Sequence, residues 1–196
     1  MQGTSPGPES GKSDWRRWLR QELATIDDHG TQSAVIRDQI ATLLSERKLR
    51  CIATYSALAN EPQLLELVSE LPHFRWTLPR VDGEQLVFHQ VDHPDQLKPG
   101  AFGIAEPPSD LEVVAVHDID LILCPGLGFD RHGVRLGKGK GHYDRALANA
   151  RPDTLSAGIA FYQQLADELP SEPHDRPMNL VISGAGTTIW PLQSGS

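Results

Sequence analysis

The chain has only two cysteines among its 196 residues, Cys51 and Cys124, and they form no Cys-x-x-Cys pair. A zinc site or a redox dithiol is therefore not expected, and both thiols, which lie in apolar runs, are predicted to be buried and reduced. The sequence also lacks an excess of positive charge, since 26 Asp and Glu residues outnumber 18 Lys and Arg residues. The resulting formal charge of −8 argues against general nucleic-acid binding.

Long apolar runs are absent as well, so no membrane-spanning segment is predicted. Residues 1–13 are rich in Gly, Ser and Pro and have no apolar core of the kind a signal peptide needs, which predicts a cytoplasmic protein. We expect residues 1–13 to form a flexible N-terminal arm, residues 14–192 to fold as a single catalytic domain, and residues 193–196 to be a frayed tail. We also expect a monomer that binds small molecules.

Three helices are predicted in the first third of the chain from the spacing of apolar residues. The first follows Asp14, a suitable N-cap, and ends at residues 29–30, where His is followed by Gly. The second carries apolar residues between positions 35 and 44. The third is capped by Asn60, with Pro62 in its first turn.

Short apolar runs predict strands at residues 51–55, 74–78, 86–91, 121–124, 155–161 and 180–183. The Asp82-Gly83 pair predicts a hairpin between the second and third of these. Residues 165–169 are predicted as a short helix. Strands alternating with helices indicate an α/β domain with a mostly parallel sheet, which the hairpin makes mixed.

The most informative stretch is residues 125–144, which read PGLGFDRHGVRLGKGKGHYD. It follows an apolar run and precedes a helical segment, so it predicts a strand, a basic glycine-rich loop and a helix. Backbone N–H groups in such a loop can bind an anion, and ligands of α/β folds lie beyond the carboxyl ends of the strands. Four basic side chains on an acidic protein make a phosphate-bearing ligand the first interpretation.

Two common phosphate motifs are excluded by the spacing. A Walker A loop needs Gly-Lys-Ser/Thr, whereas Lys138 and Lys140 are each followed by glycine. The dinucleotide fingerprint needs Gly-x-Gly-x-x-Gly, whereas Gly137, Gly139 and Gly141 alternate strictly. On spacing alone, a flexible solvated loop with scattered charges is the alternative.

The sequences PGLGFD and GVRLGKGKGHYD resemble the signature of the 5-formyltetrahydrofolate cyclo-ligase family, also called 5,10-methenyltetrahydrofolate synthetase. The similarity extends from about Arg16 to about Val181. It implies ATP- and Mg²⁺-dependent conversion of 5-formyltetrahydrofolate to 5,10-methenyltetrahydrofolate, with release of ADP and phosphate. It also implies a three-layer α/β/α fold similar to that of sugar-phosphate isomerases and CoA transferases.

The resemblance assigns most of the loop to ATP. Arg135 and Lys140 are implied to be catalytic, whereas Lys138 stays open between a phosphate contact and a solvated side chain. The first-helix pattern of the family is Lys-x-x-x-Arg, and this chain places arginine at both positions, one turn apart. The residues implied to bind ATP are Arg16, Arg20, Arg135, Leu136, Gly137, Lys138, Gly139, Lys140, Gly141, His142 and Tyr143.

The resemblance also implies Asp144 and Asp175 as Mg²⁺ ligands, although Asp144 is also a favourable charge in the first turn of a helix. Asp130 either contributes to the site or fixes the loop by hydrogen bonds. The residues implied to bind the folate are Ser56, Glu61, Phe102 and Tyr143. Glu61 has an alternative as a first-turn helix charge, and Phe102 has one as a core aromatic.

Two other functions remain open at this point. A sugar-phosphate isomerase of the same fold would need a carboxylate base and no ATP. A non-catalytic paralogue would hold folate or nucleotide without turnover, and the arginine at position 16 and the histidine at position 142 are the departures from the family pattern that keep it in consideration.

Overall fold

The computed structural model describes residues 5–7, 9–100, 103–172 and 175–189. The helices are α1 (Lys12–Leu23), α2 (His29–Glu46), α3 (Glu66–Glu70) and α4 (His142–Ala148). The strands are β1 (Cys51–Ala53), β2 (Arg75–Asp82), β3 (Gln85–Gln90), β4 (Lys98–Pro99), β5 (Ala105–Glu106), β6 (Val113–Val114), β7 (Leu121–Pro125), β8 (Gly128–Asp130), β9 (Arg135–Leu136), β10 (Leu155–Ala160), β11 (Leu165–Ala166), β12 (Leu180–Ser183) and β13 (Gly186–Ile189).

Within the described part of the chain, eight strands form the central sheet in the order β13-β12-β10-β7-β1-β2-β3-β6. The strands from β12 to β2 in this order pair in parallel. The outer strands β13, β3 and β6 pair antiparallel. The predicted α/β class, with a mostly parallel mixed sheet and a hairpin between β2 and β3, is confirmed.

Both faces of the central sheet are covered, because the buried strands carry apolar residues on either side. In β7, Leu121 and Leu123 pack with α2 and α3, whereas Ile122 and Cys124 pack with the α4 side. A second, small sheet of β11, β8 and β9 lies beside the α4 layer. Helix α1 covers that small sheet, with its buried face formed by Trp15, Leu19 and Leu23. None of the helices within the described ranges has the length and apolar composition needed to cross a membrane.

The first two helices differ from the prediction at their ends. Helix α1 begins at Lys12 and ends at Leu23. Its N-cap is Gly11, and the predicted N-cap Asp14 lies in the first turn of the helix. Residues 29–30 were predicted to end α1, but they begin α2. The carbonyl of Asp28 accepts the first helical hydrogen bond of α2, from the N–H of Gln32. Tertiary packing of the intervening turn decided this boundary, because Ile26 is buried there.

The prediction that Asn60 caps a helix is wrong. Helix α3 contains only residues 66–70, and the segment before it is held in a non-helical path by side chains. The carboxylate of Glu61 accepts a hydrogen bond from the backbone N–H of Leu58, and the hydroxyl of Ser33 accepts one from the N–H of Gln63. In both bonds a side-chain oxygen accepts from a backbone N–H group, which stabilises a non-helical conformation of this segment.

The prediction of a short helix at residues 165–169 is also wrong. Leu165 and Ala166 form β11, which pairs in parallel with Phe129 and Asp130 of β8. Strands β4, β5, β8, β9 and β13 were not predicted. Each spans two to four residues, which is too short for an alternating pattern to be recognised.

Both cysteines are buried and free, as predicted. Burial raises the pKa of the Cys124 thiol to about 12 and that of the Cys51 thiol to about 11. Neither thiol is therefore a ready nucleophile at neutral pH.

Asp120 joins three segments at the amino end of the sheet. Its carboxylate accepts hydrogen bonds from the backbone N–H groups of Arg50 (2.8 Å) and Cys51 (3.0 Å), and from the Arg151 guanidinium (2.9 Å). Burial acts to raise the pKa of Asp120, but the hydrogen bonds from Cys51, Arg151 and Arg50 outweigh it and hold the pKa below its usual value. The ionised form is thus the one the fold stabilises.

We expect Asp120→Asn to lower the free energy of unfolding by about 1–2 kcal/mol at pH 7, because it removes charge-assisted hydrogen bonds at a partly exposed site. A carboxylate whose pKa is lower in the folded than in the unfolded state stabilises the fold at pH values above the unfolded-state pKa. The difference in unfolding free energy between the variant and the wild type should therefore disappear as the pH falls through the folded-state pKa. Urea denaturation at several pH values measures this. Asp153→Asn is the matched control, since Asp153 also binds Arg151 but its side chain is 80% exposed; equal losses in the two variants would contradict the assignment.

Candidate active site at the carboxyl end of the sheet

The centre of the sheet has a topological switch point between β1 and β7. These strands are parallel neighbours, with Ile52 opposite Leu121. The chain leaving β1 crosses through α3 to β2 on one side, and the chain leaving β7 crosses through α4 to β10 on the other. Ligands of open α/β sheets bind in the crevice where such connections diverge. Residues 54–61 and 125–144 therefore lie where a site is expected.

The first part of the 125–144 stretch is a hairpin rather than an open loop. Strand β8 pairs antiparallel with β9, and Asp130 at the end of β8 is buried. Its Oδ1 accepts hydrogen bonds from the N–H groups of His132 (2.8 Å) and Val134 (3.0 Å), and its Oδ2 accepts one from Leu169 (2.9 Å). Of the two alternatives for Asp130, these bonds favour a side chain that fixes the loop.

Arg135 brings a buried positive charge to the end of β7. Its side chain is only 5% exposed, and its Nη2 donates to Asp144 Oδ1 at 2.7 Å. Its Nη1 donates to the Pro125 carbonyl at 3.3 Å, and the guanidinium lies 5.6 Å from the centre of the Tyr143 ring. The Nε of Arg135 is buried and has no hydrogen-bond partner among the described groups. The guanidinium thus ties β7, β9 and α4 together.

Two arginines lie directly against the glycine-rich loop at residues 137–141. A Cβ at Gly137 would lie 2.8 Å from Nη1 of Arg135, so only glycine leaves room for that guanidinium. Arg16, from helix α1, donates its Nε to the Gly137 carbonyl at 2.9 Å. Its guanidinium carbon would lie 3.7 Å from a Cβ at Gly139, which has a φ of +106°. The loop backbone therefore runs between cationic groups from two different elements.

Arg145, in helix α4, holds the other end of the loop. Its Nη2 donates to the carbonyls of Glu84 (2.5 Å) and Lys140 (2.7 Å), and its Nε donates to Glu84 (2.8 Å). Gly141 has a φ of +67°, and a Cβ there would lie 2.9 Å from Arg145 Nη1. Sequence reasoning missed this contact, because Glu84 is 61 residues away at the tip of the β2–β3 hairpin.

The remaining predicted ATP-binding residues are placed differently. Lys138 donates its Nζ to Glu61 Oε1 at 2.5 Å. Lys140 is exposed on the loop, and Arg20 is exposed on α1. The Leu136 side chain is part of the core under α1, so only its backbone is available to a ligand.

Glu61 lies at the opposite wall of the crevice with its carboxylate almost buried. Its side chain is 7% exposed, and its Oε2 accepts the N–H of Leu58 at 2.9 Å. Tyr55 donates its hydroxyl to the Pro62 carbonyl at 3.1 Å, which supports the same turn, and half-buried Ser56 follows it. The interpretation of Glu61 as a first-turn helix charge is wrong, because the residue lies before α3. Phe102, the fourth predicted folate residue, lies outside the described residues.

Burial, together with nearby charges, shifts the pKa values of two predicted site residues. Burial, followed by the nearby Cys124 and Glu61, raises the pKa of Tyr143 well above its usual value, so its phenol stays protonated and can donate a hydrogen bond. Burial lowers the pKa of His142, and the positive charges of Arg145 and Lys140 lower it further. Burial dominates both shifts; the neighbouring cations add to the shift of His142, whereas Arg135 opposes that of Tyr143.

The two predicted metal ligands have different surroundings. Asp144 lies in the first turn of α4, with Oδ1 bound to Arg135. Asp175 accepts hydrogen bonds through Oδ2 from Lys12 Nζ and from the backbone N–H of Glu172, both at 2.7 Å. Among the described residues, no group of three or more His, Cys, Asp and Glu is arranged to hold a metal ion by itself. Lys12 was not singled out from the sequence, although it is one helical turn before Arg16.

Comparison with known proteins agrees with the resemblance. The sequence model of the 5-formyltetrahydrofolate cyclo-ligase family matches residues 8–184. A cyclo-ligase of that name from Saccharomyces cerevisiae is 30% identical, over 89% of this chain and 96% of that protein. One from Mycolicibacterium smegmatis is 40% identical over about half of each chain, 46% and 47%. The NMR structure of Aquifex aeolicus 5,10-methenyltetrahydrofolate synthetase superimposes with a TM-score of 0.81 at 30% identity, covering 94% of both chains.

We expect Arg145→Gln to raise the pKa of His142, because it removes one of the positive charges that lower it. Histidine proton chemical shifts, followed by NMR through a pH titration, measure this directly. Arg17→Gln is the control, because Arg17 is an exposed arginine of α1 paired with Asp14. An unchanged pKa of His142 in the Arg145 variant would contradict the placement of the guanidinium beside the loop.

Proposed function

Because the chain belongs to the 5-formyltetrahydrofolate cyclo-ligase family, we propose that it uses ATP and Mg²⁺ to cyclise 5-formyltetrahydrofolate to 5,10-methenyltetrahydrofolate, releasing ADP and phosphate. The observation that carries the proposal is the approach of three guanidinium groups, from α1, β9 and α4, to the backbone of the loop at residues 137–141. Several cations around a glycine-rich backbone suit a polyphosphate. In this proposal the enzyme acts on small molecules as a cytoplasmic monomer.

The chemistry explains why ATP is needed. The formyl oxygen is a poor leaving group, and its attack on the γ-phosphoryl group of ATP would convert it to a good one and release ADP. N10 of the folate would then attack the activated formyl carbon and lose its proton, and phosphate would leave. No covalent enzyme nucleophile is required, so the protein's task is to align the reactants and to stabilise phosphate charge.

Arg135 and Lys140 are the proposed catalytic residues. Arg135 is held by Asp144 and by the strand end, so its guanidinium requires little reorganisation to meet developing charge. Lys140 is exposed on the loop, where the compact charge of an ammonium suits a phosphoryl group in transit. Arg16 supplies further positive charge, with its Nε already occupied by the Gly137 carbonyl.

The carboxylates present fit a magnesium ion held jointly with ATP. Mg²⁺ is usually bound by one or two carboxylates together with phosphate oxygens and water. Asp144 has one oxygen bound to Arg135 beside the loop, which leaves Oδ2 for this role in our proposal. Asp175 is the second candidate, and it would have to share its carboxylate with Lys12. Bound there, the ion would neutralise phosphate charge.

The folate is proposed to bind the wall opposite the loop. The carboxylate of Glu61 is buried and suits the N–H donors of a pterin ring. The protonated phenol of Tyr143 and the hydroxyl of Ser56 would add hydrogen bonds. This arrangement would direct the formyl group toward the loop, since Tyr143 adjoins Arg135.

The direct test is to mix the protein with 5-formyltetrahydrofolate and Mg-ATP and follow the near-ultraviolet absorbance of the methenyl product. We expect growth of this band only when ATP is present. The double variant Arg135→Ala, Asp144→Asn removes both partners of the buried ion pair, and kcat should fall by about 100-fold or more. Asp153→Asn is the exposed control. Normal turnover in the double variant would contradict the assignment, and no turnover by the wild type despite ligand binding would favour a non-catalytic paralogue.

Arg16 and Arg20 of α1 provide a matched pair for the ATP site. Arg16→Ala should raise the KM for ATP roughly 10- to 100-fold, because it removes a charged group worth about 1.5–3 kcal/mol. Arg20→Ala, at an exposed position one turn further along the helix, should change the KM for ATP little. Initial rates at varied ATP concentration distinguish the two variants, and equal effects would show that helix charge in general, rather than the Gly137 contact, matters.

A further inference from the structure

One ion pair crosses the crevice between the two walls of the site. Lys138 Nζ lies 2.5 Å from Glu61 Oε1, although the two residues are 77 positions apart in sequence. The lysine side chain is 43% exposed, whereas that of the glutamate is only 7% exposed. The other carboxylate oxygen is bound to the N–H of Leu58. Lys138 is thus the charged partner of a carboxylate that is otherwise almost out of water.

The proposed function requires these two side chains for different substrates. The folate needs the Oε1 atom of Glu61, which the ammonium of Lys138 occupies. The nucleotide phosphates need cations at residues 137–141, where Lys138 belongs. One lysine cannot neutralise both groups, and a buried carboxylate that loses its partner is strongly destabilised.

We infer that the Lys138–Glu61 ion pair couples the two substrate sites, so that binding of either substrate strengthens binding of the other. This inference rests on the proposed function. When phosphate draws Lys138 away, Glu61 needs a new hydrogen-bond donor, which the pterin N–H groups supply. When the folate occupies Glu61, Lys138 is released toward the phosphates. Each ligand therefore removes the free-energy cost of separating the ion pair, which the other ligand would otherwise bear. The coupling is reciprocal.

Lys138 has a glycine on either side, and glycine restricts the backbone less than other residues do. Lys138 lies between Gly137 and Gly139, and the second glycine has a φ of +106°, a conformation unfavourable for other residues. Lys140 differs, because its carbonyl is bound by Arg145 of α4. Lys138 contacts Glu61 on the folate wall, and Lys140, in the same loop, serves as its control.

The test measures binding rather than turnover. The dissociation constant of 5-formyltetrahydrofolate is measured by calorimetry in Mg²⁺ buffer, with and without a saturating non-hydrolysable ATP analogue. In the wild type we expect the analogue to tighten folate binding about 10-fold, within the usual range of coupling between sites. Lys138→Met should bind folate without the analogue as tightly as the wild type binds it with the analogue, and the analogue should then have no further effect. Lys140→Met should keep the wild-type ratio even if the analogue binds more weakly.

Each outcome decides the inference. A ratio of one in the wild type, with both ligands binding, would overturn the coupling and leave the proposed function intact. A wild-type ratio in Lys138→Met, or weaker folate binding by that variant in both conditions, would also overturn it, the latter because Lys138 would then be a direct folate contact. Failure of the wild type to bind folate under either condition would overturn the proposed function and the inference together.

Discussion

The side chain of Arg135 is only 5% exposed. A guanidinium removed from water is stable only when an opposite charge and hydrogen bonds compensate for its lost hydration. Asp144 supplies the charge and the Pro125 carbonyl an acceptor. Space for the guanidinium comes from Gly137, where a Cβ would lie 2.8 Å from its Nη1, while Gly126 chiefly makes room for the ring of Phe129, 2.7 Å from a Cβ there. The 125–144 stretch therefore contains the residues that form one ion pair, Arg135 and Asp144, and those that accommodate the arginine, Pro125 and Gly137.

The alternation of helices and strands was predictable because each long element carries its own periodic pattern. The β8–β9 hairpin was not, because it depends on the buried carboxylate of Asp130, whose third hydrogen bond comes from Leu169, 39 residues later. The same contact explains why residues 165–169 are not helical. No local pattern encodes a bond between segments so far apart, and a predicted open loop proved to be a strand pair followed by a five-residue loop.

The candidate site was predictable in composition but not in geometry. The glycines and basic residues of the loop identified it, yet Arg145 owes its contact to the hairpin tip at Glu84, which sequence does not bring near. Glu61 was assigned to the folate by resemblance, whereas its local sequence favoured a helix start after Asn60. A non-helical path prevailed, because the N–H of Leu58 donates locally to the Glu61 carboxylate and the distant Ser33 hydroxyl accepts from the N–H of Gln63.

The topology of the open sheet explains why these contacts join distant segments of the chain. At the switch point the connection after β1 and the connection after β7 turn to opposite faces, so they form two walls that share no local structure. The proposed reaction between a nucleotide and a folate would need both walls filled together, because either ligand alone would leave its phosphate or formyl group without a reaction partner. Charges that meet across such a gap must separate when ligands enter, and the energy of separation is then shared by both binding events. In the proposed function, the Lys138–Glu61 contact is therefore the point at which binding at one wall would affect binding at the other.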